Sequence, residues 1–264
     1  MKKRHSLIFL VCLGIFSCAS TQTKIKQAQE KQEKDPEYQY NVGLAQLNTN
    51  NIDEAIKYFN KTLALNPRHY QCLNALGFAY SMKGNIQESV NCYQKSLAIS
   101  PDFADAHNNL GMVYQEMGYI DKAEEEFKKA VENPNYTKRD LPAINLARIN
   151  FLKQDYEKGL MYIDNAINFN SRSAQAHYVK GLILEEQNNI YGAIESFKMA
   201  VKIVPDDTYS NFRLGEAYFK SGDFSRATEI LEKIAPHVID AEIKEKLNSY
   251  LKAIKEKEKD KGGV

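Results

Sequence analysis

The feature that most constrains the fold of this chain is a small residue that recurs every 34 positions. The residues in this series are Gly43, Gly77, Gly111, Ala147, Gly181 and Gly215. Only the interval between the third and the fourth differs, at 36 residues. A fixed period of about 20–50 residues is typical of chains built from repeated units, each of which buries its apolar face against its neighbours. The sequence therefore predicts a repeat array.

Alignment on this series divides the chain into six units, in which the small residue takes position 8. The units are 36–69, 70–103, 104–137, 140–173, 174–207 and 208–241. Position 24 carries a large apolar residue, namely Phe59, Tyr93, Phe127, Ile163, Phe197 and Leu231. Three units have proline at position 32, where its missing N–H and its ring end a helix. Each unit is thus predicted to be two antiparallel helices that approach closely at position 8.

This pattern resembles the tetratricopeptide repeat. The resemblance implies an all-α fold, a right-handed superhelix of six helix-turn-helix repeats. A last helix is expected to cap the array, because residues 242–264 place Ile243, Leu247, Leu251 and Ile254 at helical spacing among many charges. The end of this segment is expected to fray.

The N-terminal residues indicate export. Lys2, Lys3 and Arg4 precede an apolar stretch that is too short to span a bilayer comfortably, and Ile15-Phe16-Ser17-Cys18 follows. This ending resembles the lipobox of bacterial lipoproteins.

That resemblance implies a signal peptide over 1–17, cleavage after Ser17 and a covalent lipid such as palmitate on Cys18. Ala19 stands where an aspartate would indicate inner-membrane retention, which implies a lipid-anchored protein at the periplasmic face of the outer membrane. The polar segment 18–35 is expected to be a flexible tether. The alternative is an ordinary secretory signal in which Cys18 is incidental.

Charge and motifs argue against several functions. Lys plus Arg is 35 and Asp plus Glu is 34, a formal net charge of +1, whereas a dedicated nucleic-acid binder usually has a strong basic excess. No phosphate-binding loop or zinc-protease motif is present. His107 and His177 occupy position 4, where packing explains them. We therefore expect no enzyme activity, no metal or other cofactor besides the lipid, and no small-molecule substrate.

Cys72 and Cys92 are interpreted as separate thiols, although a disulfide is the alternative.

The remaining function is protein binding. In tetratricopeptide arrays the first helix of each repeat lines a groove, and here that helix carries amides suited to a peptide backbone among apolar side chains. The predicted groove residues are Tyr40, Asn74, Phe78, Met82, Asn108, Asn109, Met112, Asn145, Arg148, Phe151, Tyr178 and Phe212. The alternative for each aromatic residue is packing between repeats.

The irregular junction between the third and fourth repeats points to a family. Pro134-x-Tyr136 followed by Ala143-x-Asn145-x-Ala147 resembles type IV pilus biogenesis lipoproteins of the PilF, PilW and Tgl type. Ala147 departs from the usual glycine, as does Gln154 in the next turn. The resemblance implies a pilotin whose partner is an outer-membrane secretin subunit. Two alternatives use the same groove and anchor: a general periplasmic adaptor for proteases or peptidoglycan enzymes, and a lipoprotein of the β-barrel assembly machinery.

Overall fold

The computed structural model describes residues 31–262, with side chains described as far as Lys257. The predicted signal peptide, Cys18 and most of the predicted tether lie outside the described residues. Within the described part the regular structure is helical, and the predicted all-α class is confirmed. The helices are α1 (Pro36–Asn48), α2 (Ile52–Leu65), α3 (Tyr70–Met82), α4 (Ile86–Ile99), α5 (Ala104–Glu116), α6 (Ile120–Glu132), α7 (Asp140–Leu152), α8 (Tyr156–Phe169), α9 (Ala174–Glu186), α10 (Ile190–Ile203), α11 (Thr208–Ser221), α12 (Phe224–Ile234), a 3-10 turn (Ala235–His237) and α13 (Ala241–Gly262).

The chain divides into two compact units, of which unit 1 ends at Val113 and unit 2 begins at Tyr114. The core of unit 1 is built around Phe59, Cys72 and Leu76, contributed by α2 and α3. Unit 2 has several apolar clusters in succession, and their fully buried members include Ile163, Phe197 and Leu231. Each unit therefore has its own apolar interior.

The small residues at position 8 allow the two helices of a hairpin to pack closely. A Cβ on Gly43 would lie 2.6 Å from Cε1 of Phe59, and a Cβ on Gly181 would lie 2.4 Å from Cε1 of Phe197. Both distances are shorter than real Cβ contacts allow, so the residue at position 24 fills the space that glycine leaves. Each small residue of the series thus marks a point where the two helices of a hairpin cross.

Position 4 of the repeat ties three of the hairpins to the turn before them. Nε2 of His107 lies 2.7 Å from the carbonyl oxygen of Pro101, and Nε2 of His177 lies 3.1 Å from that of Ser171. At the same position, Nδ2 of Asn211 donates to a carbonyl six residues earlier, at 2.9 Å. Both imidazoles are buried. The packing interpretation of the two histidines is therefore confirmed, with a hydrogen bond to the turn added to it.

Cys72 and Cys92 are free, buried thiols. Sγ of Cys72 donates to the carbonyl oxygen of Phe59 at 3.4 Å. Burial raises the pKa of Cys72 to about 12 and that of Cys92 to about 11. Since the thiolate is the reactive form, both residues are inert members of the core.

α13 follows the last hairpin and packs against it, as the predicted cap should. Leu247 and Ile254 are fully buried, and the hydroxyl of Tyr250 donates to Oε1 of Glu216 on α11 at 2.7 Å. None of the described helices has the length and apolar character needed to cross a membrane.

The turn inside each hairpin puts one residue in the left-handed region of φ. This position holds Asn50, Gly84, Gly118, Gln154, Asn188 and Gly222, with φ between 59° and 83°. Glycine adopts this conformation freely and asparagine tolerates it, whereas another side chain costs about 1–2 kcal/mol. Gln154 is therefore the strained member of the series.

Gln154→Gly is expected to raise the free energy of unfolding by about 1 kcal/mol, because it removes this strain. Thermal and urea melts of residues 19–264 would measure the gain. The matched control is Gln187→Gly, at a helix end with φ of −80°, where glycine only adds backbone freedom to the unfolded chain. Equal effects of the two substitutions would contradict the assignment of strain to Gln154.

Candidate functional site

In unit 1 a row of side chains, two of them large and apolar, lies along one side of α3. Asn74, Phe78 and Met82 are four residues apart, so they stack on one side of the helix. Phe78 is 41% exposed and Met82 is 44% exposed. Large apolar side chains in water cost free energy, and a group of them is a mark of a recognition surface.

α5 extends this surface. Nδ2 of Asn109 donates to Oδ1 of Asn74 at 3.0 Å, which ties α5 to α3, and Met112 is 48% exposed. The bonded pair still carries the Nδ2 hydrogens of Asn74 and the Oδ1 of Asn109. A donor and an acceptor side by side match the C=O and N–H of a peptide backbone. We call Asn74, Phe78, Met82, Asn109 and Met112 the α3–α5 face.

Two predicted groove residues are buried, and their assignment was wrong. Asn108 is 5% exposed and its Nδ2 contacts Sδ of Met112 at 3.7 Å, so it supports the α3–α5 face from below. Phe212 is also 5% exposed, because α13 covers it and its ring lies 6.3 Å from that of Tyr250. Asn108 therefore presents no surface to an extended peptide, and Phe212 contributes only a small part of the wall of a cleft in unit 2.

Three predicted aromatic residues are half-buried and pack between helices. The ring of Tyr40 lies 4.7 Å from that of His69, the ring of Phe151 lies 6.0 Å from that of Tyr156, and Tyr178 packs on Phe197 at 5.9 Å. Much of the surface of each of these three rings therefore packs between helices, which was the alternative interpretation.

Asn145 and Arg148, both on α7, are half-buried as well. Since these two residues and the three aromatic residues above are half-buried, the exposed apolar residues of the predicted groove are those of the α3–α5 face.

Sequence reasoning missed three exposed apolar residues on the first helices of the repeats in unit 2. Leu141 is 39% exposed, Leu152 is 68% exposed and Tyr209 is 53% exposed. Leu141 and Tyr209 take position 2 of their repeats, and Leu152 takes position 13, the position of Met82. The register of the repeat therefore contained the signal that would have found them.

Unit 2 also holds an ion-pair network between α9 and α11. Arg213 and Lys220 lie against the largely buried carboxylates of Glu185 and Glu216. Burial acts to raise the pKa of Glu216, but the hydroxyl of Tyr250 and the charges of Lys220 and Arg213 outweigh it, so the pKa lies below its usual value. The two cations are matched by two carboxylates, and the network joins α9, α11 and α13.

Family models described as tetratricopeptide repeats match residues 36–69, 104–134, 144–208 and 209–235, and a TPR repeat model matches 82–118. A TPR repeat-containing protein of Methanocaldococcus jannaschii is 31% identical over 81 residues. That match covers 31% of this chain and 14% of the relative, so the chain spans about one seventh of its length.

Solved structures share the fold. PilF of Pseudomonas aeruginosa superimposes with a TM-score of 0.76 at 15% identity, over 83% of this chain and 99% of PilF. PilW, a widely conserved type IV pilus biogenesis factor, gives a TM-score of 0.72 at 13% identity, over 80% of this chain and 97% of PilW. YrrB, a TPR protein with an unusual peptide-binding site, gives 0.56 at 18% identity, over 72% of this chain and 97% of YrrB. The chain therefore carries tetratricopeptide repeats, and its fold is similar to that of the pilus biogenesis factors PilF and PilW.

Proposed function

We propose that this protein is a pilotin: a lipoprotein of the outer membrane, anchored through Cys18, that holds a segment of a type IV pilus secretin subunit while the subunits assemble. The observation that carries the proposal is the α3–α5 face, where Phe78, Met82 and Met112 are each more than 40% exposed beside a pair of amides. The similarity to PilF over 99% of its length supports it.

The chemistry of the face suits an extended client. In an extended segment side chains point alternately to opposite sides, so every second one meets the helices. Phe78 and the two methionines accept these side chains, and methionine adapts to different shapes because its side chain is unbranched and flexible. The amides of Asn74 and Asn109 hold the backbone. Such a surface binds reversibly, which a factor that hands its client to a multimer requires.

The proposal predicts a specific effect of Phe78→Ser combined with Met112→Ser. Both side chains are substantially exposed, so the array should keep its helical content and its melting temperature within about 3 °C. Secretin multimers, measured on gels of outer-membrane fractions, should fall while secretin monomer accumulates. The reason is that the substitutions remove two apolar side chains that bind the client segment.

The matched control is Met161→Ser combined with Met199→Ser, which removes two exposed apolar side chains from α8 and α10. This variant should assemble secretin normally. A folded Phe78→Ser/Met112→Ser protein that still supports full secretin assembly would show that the α3–α5 face is not the client site. Loss of envelope proteases or peptidoglycan enzymes from its pull-downs, with secretin unchanged, would favour the general adaptor.

A further inference from the structure

Unit 2 contains two adjoining clefts that the proposed function does not use. Tyr178 of α9 and Tyr209 of α11 line both and form the wall between them. The larger cleft has a volume of about 450 Å³ and a mostly apolar wall, to which Val204 also contributes. Ligand-binding clefts in proteins measure about 300–1,000 Å³, so this one has room for a large side chain.

The smaller cleft, of about 290 Å³, is charged. Its two cations are already paired: Nη1 of Arg213 donates to Oε2 of Glu216 at 2.9 Å, and Nζ of Lys246 donates to Oε1 of Glu242 at 2.7 Å. The remaining charge is the carboxylate of Asp240. It accepts hydrogen bonds from two backbone N–H groups at the start of α13, at 2.9 Å and 3.1 Å.

The larger cleft also contains a carboxylate, that of Asp207. Its carboxylate accepts from the backbone N–H of Ser210 at 2.9 Å. The described side chains place no cation within ion-pair distance of Asp207 or Asp240. Each carboxylate stands at a helix N-terminus, whose partial positive charge is about half an elementary charge, so a net negative charge remains at both ends of the tyrosine wall.

We propose that these clefts bind a peptide segment in which an aromatic or large aliphatic side chain stands next to a lysine or arginine. The apolar side chain enters the larger cleft beside Tyr178 and Val204. The cation lies against the exposed ring of Tyr209 and pairs with Asp207 or Asp240. An acidic segment would instead meet two carboxylates. This site is built from residues other than those of the α3–α5 face, and it does not depend on the pilotin proposal.

The test uses the soluble chain, residues 19–264, and three labelled hexapeptides, Gly-Ser-Phe-Lys-Ser-Gly and its Phe-Glu and Ala-Lys counterparts, by fluorescence anisotropy. The Phe-Lys peptide should bind at least fivefold more tightly than either counterpart. Asp207→Asn combined with Asp240→Asn should weaken it about fivefold, since both carboxylates with which the lysine can pair lose their charge. Asparagine still accepts the capping hydrogen bonds, so the helices are kept. Val204→Trp should also weaken binding, by filling the larger cleft.

Asp155→Asn is the matched control: it removes one charge from the cap of α8, away from the clefts, and should leave binding unchanged. Equal affinity for the Phe-Lys and Phe-Glu peptides would overturn the proposal, as would no saturable binding of the Phe-Lys peptide up to millimolar concentration. So would a shift from dimer to monomer in Val204→Trp on sedimentation, since the occupant would then be a second copy of the chain. If Val204→Trp fails to fold, the charge variant decides.

Discussion

Gly181→Leu will lower the free energy of unfolding by about 3 kcal/mol or more. A Cβ at this position would already lie 2.4 Å from Cε1 and 2.6 Å from Cδ1 of the fully buried Phe197. The ring is enclosed on its other sides by the core of unit 2, so α9 and α10 must separate. Loss of the cooperative thermal transition of unit 2, followed by circular dichroism and hydrogen exchange, would measure the effect.

A double-mutant cycle identifies the cause as the contact between positions 8 and 24. In the one described hairpin that has alanine at position 8, Ala147, position 24 is Ile163 rather than an aromatic residue. Alanine is favoured over glycine in a helix by about 1 kcal/mol, so Gly181→Ala should stabilise the chain wherever the clash is absent. We expect Gly181→Ala to destabilise the chain that has Phe197 and to stabilise the one with Phe197→Ile. Additive effects of the two substitutions would contradict this explanation.

The second large effect concerns the proposed anchor. Cys18→Ala should abolish palmitate labelling and remove the protein from the outer-membrane fraction. Each buried CH₂ contributes about 0.8 kcal/mol to membrane binding, so the loss of the acyl chains removes essentially all of the affinity that the proposal assigns to the N-terminus.

Cys12→Ala is the control for this experiment. Cys12 lies in the same apolar stretch, but Val11 before it is bulkier than the small residue that lipoprotein cleavage requires. The Cys12 variant should label and fractionate normally. If the Cys18 variant still carries palmitate and still sediments with the outer membrane, Cys18 is not the lipidated residue.

The repeat register was predictable because it depends on pairs of residues that must contact each other where two helices cross. Gly181 and Phe197 are 16 residues apart and must meet at a helix crossing, and any chain with this spacing in every repeat is held to the same hairpin. The departure at Gln154 could also be seen in the sequence. Its physical meaning, a left-handed φ of 60° without glycine, needed the backbone.

The candidate site was less predictable, since register gives the face of a helix but not what covers it. Phe212 lies on the first helix of its repeat, as the other predicted groove residues do, yet α13 buries it. The position of α13 follows from contacts such as that of Tyr250 with Glu216. Asn108 and Asn109 are neighbours in sequence and only the second is accessible, because a helix turns by about 100° between them. Tyr209 was overlooked although it also lies on a first helix.

We propose that this protein assembles a type IV pilus secretin, and deletion of its gene tests the proposal most directly. The measurement is the amount of heat-resistant secretin multimer in separated outer and inner membranes, with plasmid-borne wild-type protein as the control. Multimers should disappear from the outer membrane of the deletion strain and monomeric secretin should accumulate elsewhere, and the plasmid should restore the multimers. Normal secretin multimers in the outer membrane of the deletion strain would contradict it.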